Sequence, residues 1–286
     1  MKNNKVRFIT YGSNNFNLQK KHITNLALKS NYFDSSFAYG PEHLNKEFVR
    51  EYKEILNKEK GGGFWIWKHQ IIKQEISNLK DGDILVYSDA GSSINLNARK
   101  RFDEYIEMLN SSEYSMLRFR LNEIEKYWTT KEIFDYFKIK LDSEHANSEQ
   151  FLAGHLFIKN NKNLKEQLKI FDNLLSQDRY LITDAYDENQ IDDFIENRHD
   201  QSIFSLISKI YGCVSVGNEV WFKDSPEEQY NYPFLAVQQS KYTIWQKIKF
   251  YLNQKKHLNS SIFFGKKLYI YQKPSLVSRV LFKLKK

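Results

Sequence analysis

The sequence predicts an α/β fold: a mostly parallel sheet with helices on both faces, followed by a basic helical C-terminal tail. Three observations predict it. Short apolar runs of strand length alternate with segments whose apolar residues recur at helical spacing. The chain is 286 residues long, 41% hydrophobic and 27% charged, enough for one large α/β domain or two small ones. The only clear shift in composition comes near residue 240, with no internal repeat and four prolines in all.

The elements follow in order. Val6 to Gly12 reads as a buried strand ending in a turn, followed by a polar loop and a short helix. A second strand near Tyr32 to Tyr39 stops at Gly40-Pro41. Leu44, Phe48, Tyr52 and Ile55 then recur at helical spacing. After Gly61-Gly62-Gly63 a helical stretch runs to Leu79. Ile84 to Tyr87 is a short buried strand that leads into Ser88-Asp89-Ala90-Gly91. Residues 98–109 are an amphipathic helix, Ser115 to Arg120 a strand and Lys131 to Phe137 a helix. Phe151 to Lys159 reads as one strand and Leu164 to Leu175 as a helix. A helix from Asp200 to Tyr211 leads into a strand that contains Cys213.

The net charge of +8 is unevenly placed. From residue 240 onward there are twelve Lys or Arg and no Asp or Glu, so residues 1–239 hold 31 basic and 35 acidic side chains. We therefore divide the chain into a body, 1–239, and a tail, 240–286. A nucleic-acid enzyme carries its positive charge around its cleft, and this body is net acidic, which argues against a nucleic-acid partner. In the tail, Ile244, Trp245, Ile248, Tyr251 and Leu252 share one helical face among lysines, and Leu276, Val277, Val280, Leu281 and Leu284 repeat the design. That pattern suits the interface of an anionic membrane surface. No apolar run approaches the ~20 residues of a membrane span. The N-terminus lacks the apolar stretch of a signal peptide. The expected location is cytoplasmic, peripheral on the inner face of the membrane. One cysteine, Cys213, excludes an intramolecular disulfide and a multi-cysteine zinc site, and its aliphatic neighbours make it a buried strand residue.

Three segments carry candidate chemistry. Asp89 ends a strand, where open α/β sheets bind ligands, and small residues follow it. It suits a metal-bound diphosphate and equally a helix-capping turn. In Gly61-Gly62-Gly63-Phe64-Trp65-Ile66-Trp67-Lys68 the glycines open backbone shapes closed to other residues. The two indoles, two positions apart, cannot share a helix face, so one can stack on a ligand while the other packs. In Arg198-His199-Asp200-Gln201-Ser202 an N-cap accounts for Asp200 or Ser202 and leaves Arg198 and His199 unexplained. His155, in an apolar strand, has the profile of a structural histidine. Asp184 and Asp187 read as solvated loop residues. No HExxH, GxSxG, GxGxxG or Walker A pattern is present.

Together the strings ITYGSNNF, GGGFWIWKHQII, DGDILVYSDAGSSI, FLAGHLFIKNN and ENRHDQSIFSLISKIYG resemble bacterial nucleotide-sugar-dependent glycosyltransferases of GT-A type, which build lipopolysaccharide and capsule. The likeness extends over residues 5–225. It implies a GT-A-like, Rossmann-type sheet, a nucleoside-diphosphate-sugar donor and a glycan or lipid-linked glycan acceptor. By resemblance Tyr11 and Gly12 lie at the nucleotide base, and Trp65, Lys68 and Arg198 on the donor side. Asp89 matches the first aspartate of the Asp-x-Asp motif for Mn2+ or Mg2+. Gly91 stands in place of the second, so one side-chain ligand remains, with Asp200, His199 or water to complete the shell. His155 and His199 fall on the acceptor side, and Asp200 near the position of the base. The alternative is a non-catalytic nucleotide- or glycan-binding module on the same fold.

Overall fold

The computed structural model describes residues 4–222 and 227–236, and two short strands, Ile262–Phe264 and Lys267–Tyr269, that pair antiparallel. The tail helices expected at 241–256 and 276–284 lie outside the described residues, as does the expected boundary at 239/240.

The strands are β1 (Val6–Tyr11), β2 (Ser35–Tyr39), β3 (Ile84–Ser88), β4 (Ser93–Ile94), β5 (Met116–Ile124), β6 (Glu149–Phe151), β7 (His155–Lys159), β8 (Val214–Val216) and β9 (Phe234–Leu235). The main helices are α1 (Asn17–Ser30), α2 (Ile66–Ile76), α3 (Arg99–Ser111), α4 (Lys131–Phe137), α5 (Lys162–Gln177) and α6 (Asp200–Tyr211). Seven strands form one sheet in the order β2-β1-β3-β7-β5-β6, with β8 also on β5. β1, β2, β3, β5 and β8 run one way, and β6 and β7 run against them. The expected mostly parallel sheet is therefore present. β4 and β9 form a separate small ladder that the sequence pattern did not reveal.

Alternation within the strands decides the layers. Ile9, Leu85, Tyr87, Leu156 and Ile158 face one core with α2, α4, α5 and α6. Their neighbours Phe8, Ile84, Val86 and Phe157 face a second core with α1 and α3. Both faces are covered, which is why these strands read as continuous apolar runs.

Several expectations are corrected. The short helix after β1 is the fourteen-residue α1. The helix expected around Leu44 to Ile55 is broken at Tyr52 (φ −104°, ψ 21°) into two short pieces, although all four apolar residues are buried. Cys213 precedes β8 and is half-buried, its thiol pushed up to about 11 chiefly by burial. The single strand expected from Phe151 to Lys159 is interrupted: residues 152–154 leave the ladder between β6 and β7. Contacts from three other elements hold that break. The Ala153 N–H donates to Gln201 Oε1, the Ala153 carbonyl accepts from Lys68, and the Gly154 carbonyl accepts from the Asp89 N–H. Among the described residues no helix is long and apolar enough to cross a membrane.

Candidate functional site

A cavity of about 510 Å³ opens where β3 and β5 end and β7 begins. Its floor is Lys68 from α2, Asp89 after β3, Ala153 and Gly154 from the break, and Asp200 and Gln201 at the start of α6. One flank consists of Lys60, Trp65, Glu196, Asn197, Arg198 and His199. The other is Leu121, Asn122 and Glu123 of β5, Gln150, Leu152, Asn218 and Trp221.

Charge at the floor is organised around one ammonium. Lys68 Nζ lies 2.7 Å from Asp200 Oδ2, 3.6 Å from Asp89 Oδ1 and 3.1 Å from the Ala153 carbonyl it donates to. Burial works to lower the Lys68 pKa, but Asp200 and Asp89 outweigh it, so the ammonium is held above its ordinary value. Asp200 is buried, and desolvation raises its carboxyl to about 6 against the opposing pull of Lys68. Asp89 is different. Its side chain is 41% exposed, its Oδ1 accepts from the Tyr87 hydroxyl at 2.6 Å, and its Oδ2 would lie 3.0 Å from a Cβ at position 154. Glycine at 154 leaves room for that carboxylate.

The Trp65 wall rests on unusual backbone. Residues Gly61, Gly62, Gly63, Phe64 and Trp65 all have positive φ, from 53° to 98°. A Cβ at Gly63 would meet Leu56 Cα at 2.7 Å, and one at Gly61 would meet the Trp65 ring at 2.5 Å. This left-handed turn turns Trp65 toward the cavity, where its ring stacks on His199 (centroids 5.5 Å, 24°). Trp67 goes the other way. It is buried, stacks on Tyr11 at 3.8 Å and donates from Nε1 to the Gly61 carbonyl. The two indoles do diverge, but the left-handed turn separates them and not helical spacing, because Trp65 precedes α2.

His199, with φ 57° and ψ −121°, precedes α6 in a conformation costly for a residue with a Cβ. Its N–H donates to Asn197 Oδ1, and its Nδ1 bonds the Ile182 carbonyl at 2.9 Å. That bond places the proton on Nδ1. Burial first, then Lys60, lowers its pKa to about 4, so it is neutral. Arg198 lies 4.0 Å over the Trp128 ring and 3.4 Å from Glu196, with a partly exposed side chain.

Trp65, Lys68, Asp89, Arg198, His199 and Asp200, predicted from three separate segments, are brought together. Three predicted residues are not. Tyr11 is buried under Trp67, and the strand alternation that faces it into the core keeps it from the cavity. Gly12 is buried, packed against Phe16 and Lys20. His155 is fully buried, bonds Ser88 Oγ through Nδ1 and is driven to about 3 chiefly by desolvation. It is a neutral core side chain, not part of an acceptor surface. Glu123, Gln150, Asn218 and Trp221 were missed, because no local pattern marks a strand end or loop as part of a distant cavity. Gln201 had a signal, its place beside Asp200 in the polar cluster. Among the described residues no three His, Cys, Asp or Glu side chains converge as a metal-holding group.

In its overall backbone the chain is similar to solved glycosyltransferases. One is involved in the glycosylation of the major capsid of PBCV-1 (11% identity over 81% of this chain and 91% of that one, TM-score 0.48). A second is WbbM, a bifunctional glycosyltransferase in its apo form (9%, 84% of this chain and 47% of that one, 0.42). A third is the galactosyltransferase LgtC in complex with donor and acceptor sugar analogs (11%, 79% and 83%, 0.40). No family model matches the sequence, and no curated protein matches it.

Proposed function

We propose that the chain is a glycosyltransferase that moves a sugar from a nucleoside-diphosphate-sugar donor to an acceptor hydroxyl in the synthesis of bacterial lipopolysaccharide or capsule. The observation that carries this reading is the convergence of Asp89 and Asp200 on Lys68 at the floor of a cavity at the sheet's carboxyl edge. Transfer needs a base for the acceptor's proton, positive charge for the departing diphosphate, and a wall that orients the sugar. Asp200, raised to about 6, is ionised at neutral pH and close to the pH at which a base works best. Lys68 would supply positive charge from beneath the leaving group, with Arg198 and Lys60 on the adjoining flank. Trp65 supplies an apolar face for a ring to stack on.

The cavity lining also bears on a metal. Lys60, Lys68 and Arg198 face Asp89, Glu123, Glu196 and Asp200, with His199 neutral. Such a lining has no positive excess for a diphosphate, and an added divalent cation fits the deficit. Asp89, the floor carboxylate with an exposed face, would hold Mn2+ or Mg2+ alongside donor phosphates and water, a donor set that suits hard cations. Bound there, the cation compensates charge on the leaving diphosphate.

The test is a thermal-shift screen of nucleoside-diphosphate sugars with Mn2+, followed by donor hydrolysis. A true donor at a hundred times its Kd adds roughly 2.7 kcal/mol of stability, and free nucleoside diphosphate should then accumulate. Binding without release assigns the chain to the non-catalytic module, which the glycine at position 91 favours. No binding at all defeats the transfer reading and a nucleotide-binding module alike, and leaves only a glycan-binding module. For the tail, the proposal extends to docking on anionic membrane near a lipid-linked acceptor. The full chain should sediment with anionic vesicles at low salt, and a chain cut at residue 240 should not.

A further inference from the structure

Behind the cavity floor lies a fully buried carboxylate, Glu125, that touches no ligand surface. Its Oε2 is 3.0 Å from Lys209 Nζ and also accepts from the Ser205 hydroxyl. Its Oε1 accepts from Thr129 Oγ1 at 2.7 Å and from Gln150 Nε2 at 2.7 Å. The opposite end of the Gln150 amide, its oxygen Oε1, accepts from Gln201 Nε2 at 2.6 Å. Gln201 Oε1 in turn accepts from the Ala153 N–H at 3.1 Å. The far side of that same residue, the Ala153 carbonyl, takes the Lys68 ammonium.

A primary amide can be turned end for end, and only its partners decide which end faces where. Here both ends of the chain have fixed polarity. A carboxylate paired with lysine only accepts, and a backbone N–H only donates. Gln150 must therefore present Nε2 to Glu125 and Oε1 to Gln201, and Gln201 must present Nε2 to Gln150 and Oε1 to Ala153. We infer that Glu125 is a positioning residue that sets, through Gln150, the direction in which the Gln201 amide faces the cavity beside Asp200. Gln201 Nε2 has two hydrogens, and the described bonds commit one, so the amide offers a donor to an occupant's oxygen. Reversal of the amide would offer a carbonyl in its place. Fully burying Glu125 and Gln150 is costly unless every partner is satisfied. The network meets that condition.

The orientation stands independently of the transfer reading; only its effect on turnover rests on it. Three variants of the full chain test it. Gln150→Met cuts the relay and leaves Glu125 with Lys209, Ser205 and Thr129. Glu125→Gln removes the fixed acceptor. Glu125→Gln/Gln150→Glu moves that acceptor one place along and restores the polarity. The first readout is hydrogen exchange of the Gln201 side-chain amide by NMR, its signals assigned through Gln201→Ala. Protection in the wild type should fall about tenfold in Gln150→Met and Glu125→Gln, and return in the double variant. Unchanged protection in Gln150→Met overturns the inference, as does a double variant no better protected than Glu125→Gln. If Glu125→Gln does not fold, Gln150→Met decides alone. The second readout is donor hydrolysis, where Gln150→Met should lower kcat about tenfold or more at nearly constant KM. A KM effect alone, or no effect, removes Gln201 orientation from the catalytic step. Wild-type protein that releases no nucleoside diphosphate defeats the transfer reading and leaves the amide result standing.

Discussion

Lys68 and Asp200 form a buried ion pair 2.7 Å long, and Asp89 stands 3.6 Å from the same ammonium with its own carboxylate half in solvent. Two acids of unequal exposure thus share one base. Burial separates their roles: one is a desolvated group with a raised pKa, the other an accessible oxygen donor.

Removal of the ammonium should be costly. In Lys68→Met, Asp200 loses its ion-pair partner in the interior, a change worth about 3–5 kcal/mol. Urea unfolding should show that loss, and the double variant Lys68→Met/Asp200→Asn should recover part of it. A double variant no more stable than Lys68→Met would mean that the two groups are not coupled.

Asp200→Asn keeps the shape and removes the base. A general base contributes about 10² to 10⁴ in rate, so kcat for transfer should fall by that factor while donor affinity changes little. A raised KM at constant kcat would assign Asp200 to binding.

Stability should carry the mark of the same carboxyl. Its folded pKa, about 6, lies above the ordinary 3.8. Below about pH 4 it is protonated in both folded and unfolded chains. As pH rises to about 6 the unfolded chain releases its proton first, so stability is lost across that window. Denaturation curves from pH 4 to 7 should show the wild type losing stability relative to Asp200→Asn. Parallel pH profiles for the two proteins would contradict the assignment.

Trp65→Ala tests the wall. Its ring lies on His199 and faces the cavity, so nucleotide-sugar affinity should weaken by about tenfold, roughly the 1.4 kcal/mol of one good stacking contact. A drop in Tm at constant affinity would make Trp65 a packing residue only.

Gly63→Ala tests the turn beneath that wall without any substrate. At φ 98° an alanine is strained, and its Cβ would press on Leu56 Cα. The variant should lose about 1–3 kcal/mol of stability. Gly62, with no contact nearer than 3.8 Å to an added Cβ, should cost less when replaced by alanine.

The sheet was legible because its strands are local. Ile84 to Tyr87 is apolar at every position, and α6 begins within the polar cluster, with the predicted bounds Asp200 to Tyr211. The interruption at 152–154 was hidden. Phe151 to Lys159 has the composition of one strand, and what breaks it are bonds from Gln201, Lys68 and Asp89, none of them nearby in sequence. His155 shows the same limit from the other side. Its apolar neighbours already suggested a structural role, and β7 places it against Ser88 and Phe234, in the core.

Taken alone, the amino-acid order determined the alternation of strands and helices, the backbone freedom of the three glycines before Trp65, and the placement of Asp89 and Asp200 at element ends. Each follows from spacing and side-chain chemistry within a few residues. Only the tertiary structure decided that Lys68 lies between the two acids, that Tyr11 is covered by Trp67, and that Glu125 reaches the cavity floor through two amides. Those relations join segments distant along the chain. They are set by which faces pack together and by the need to satisfy every buried charge and polar group.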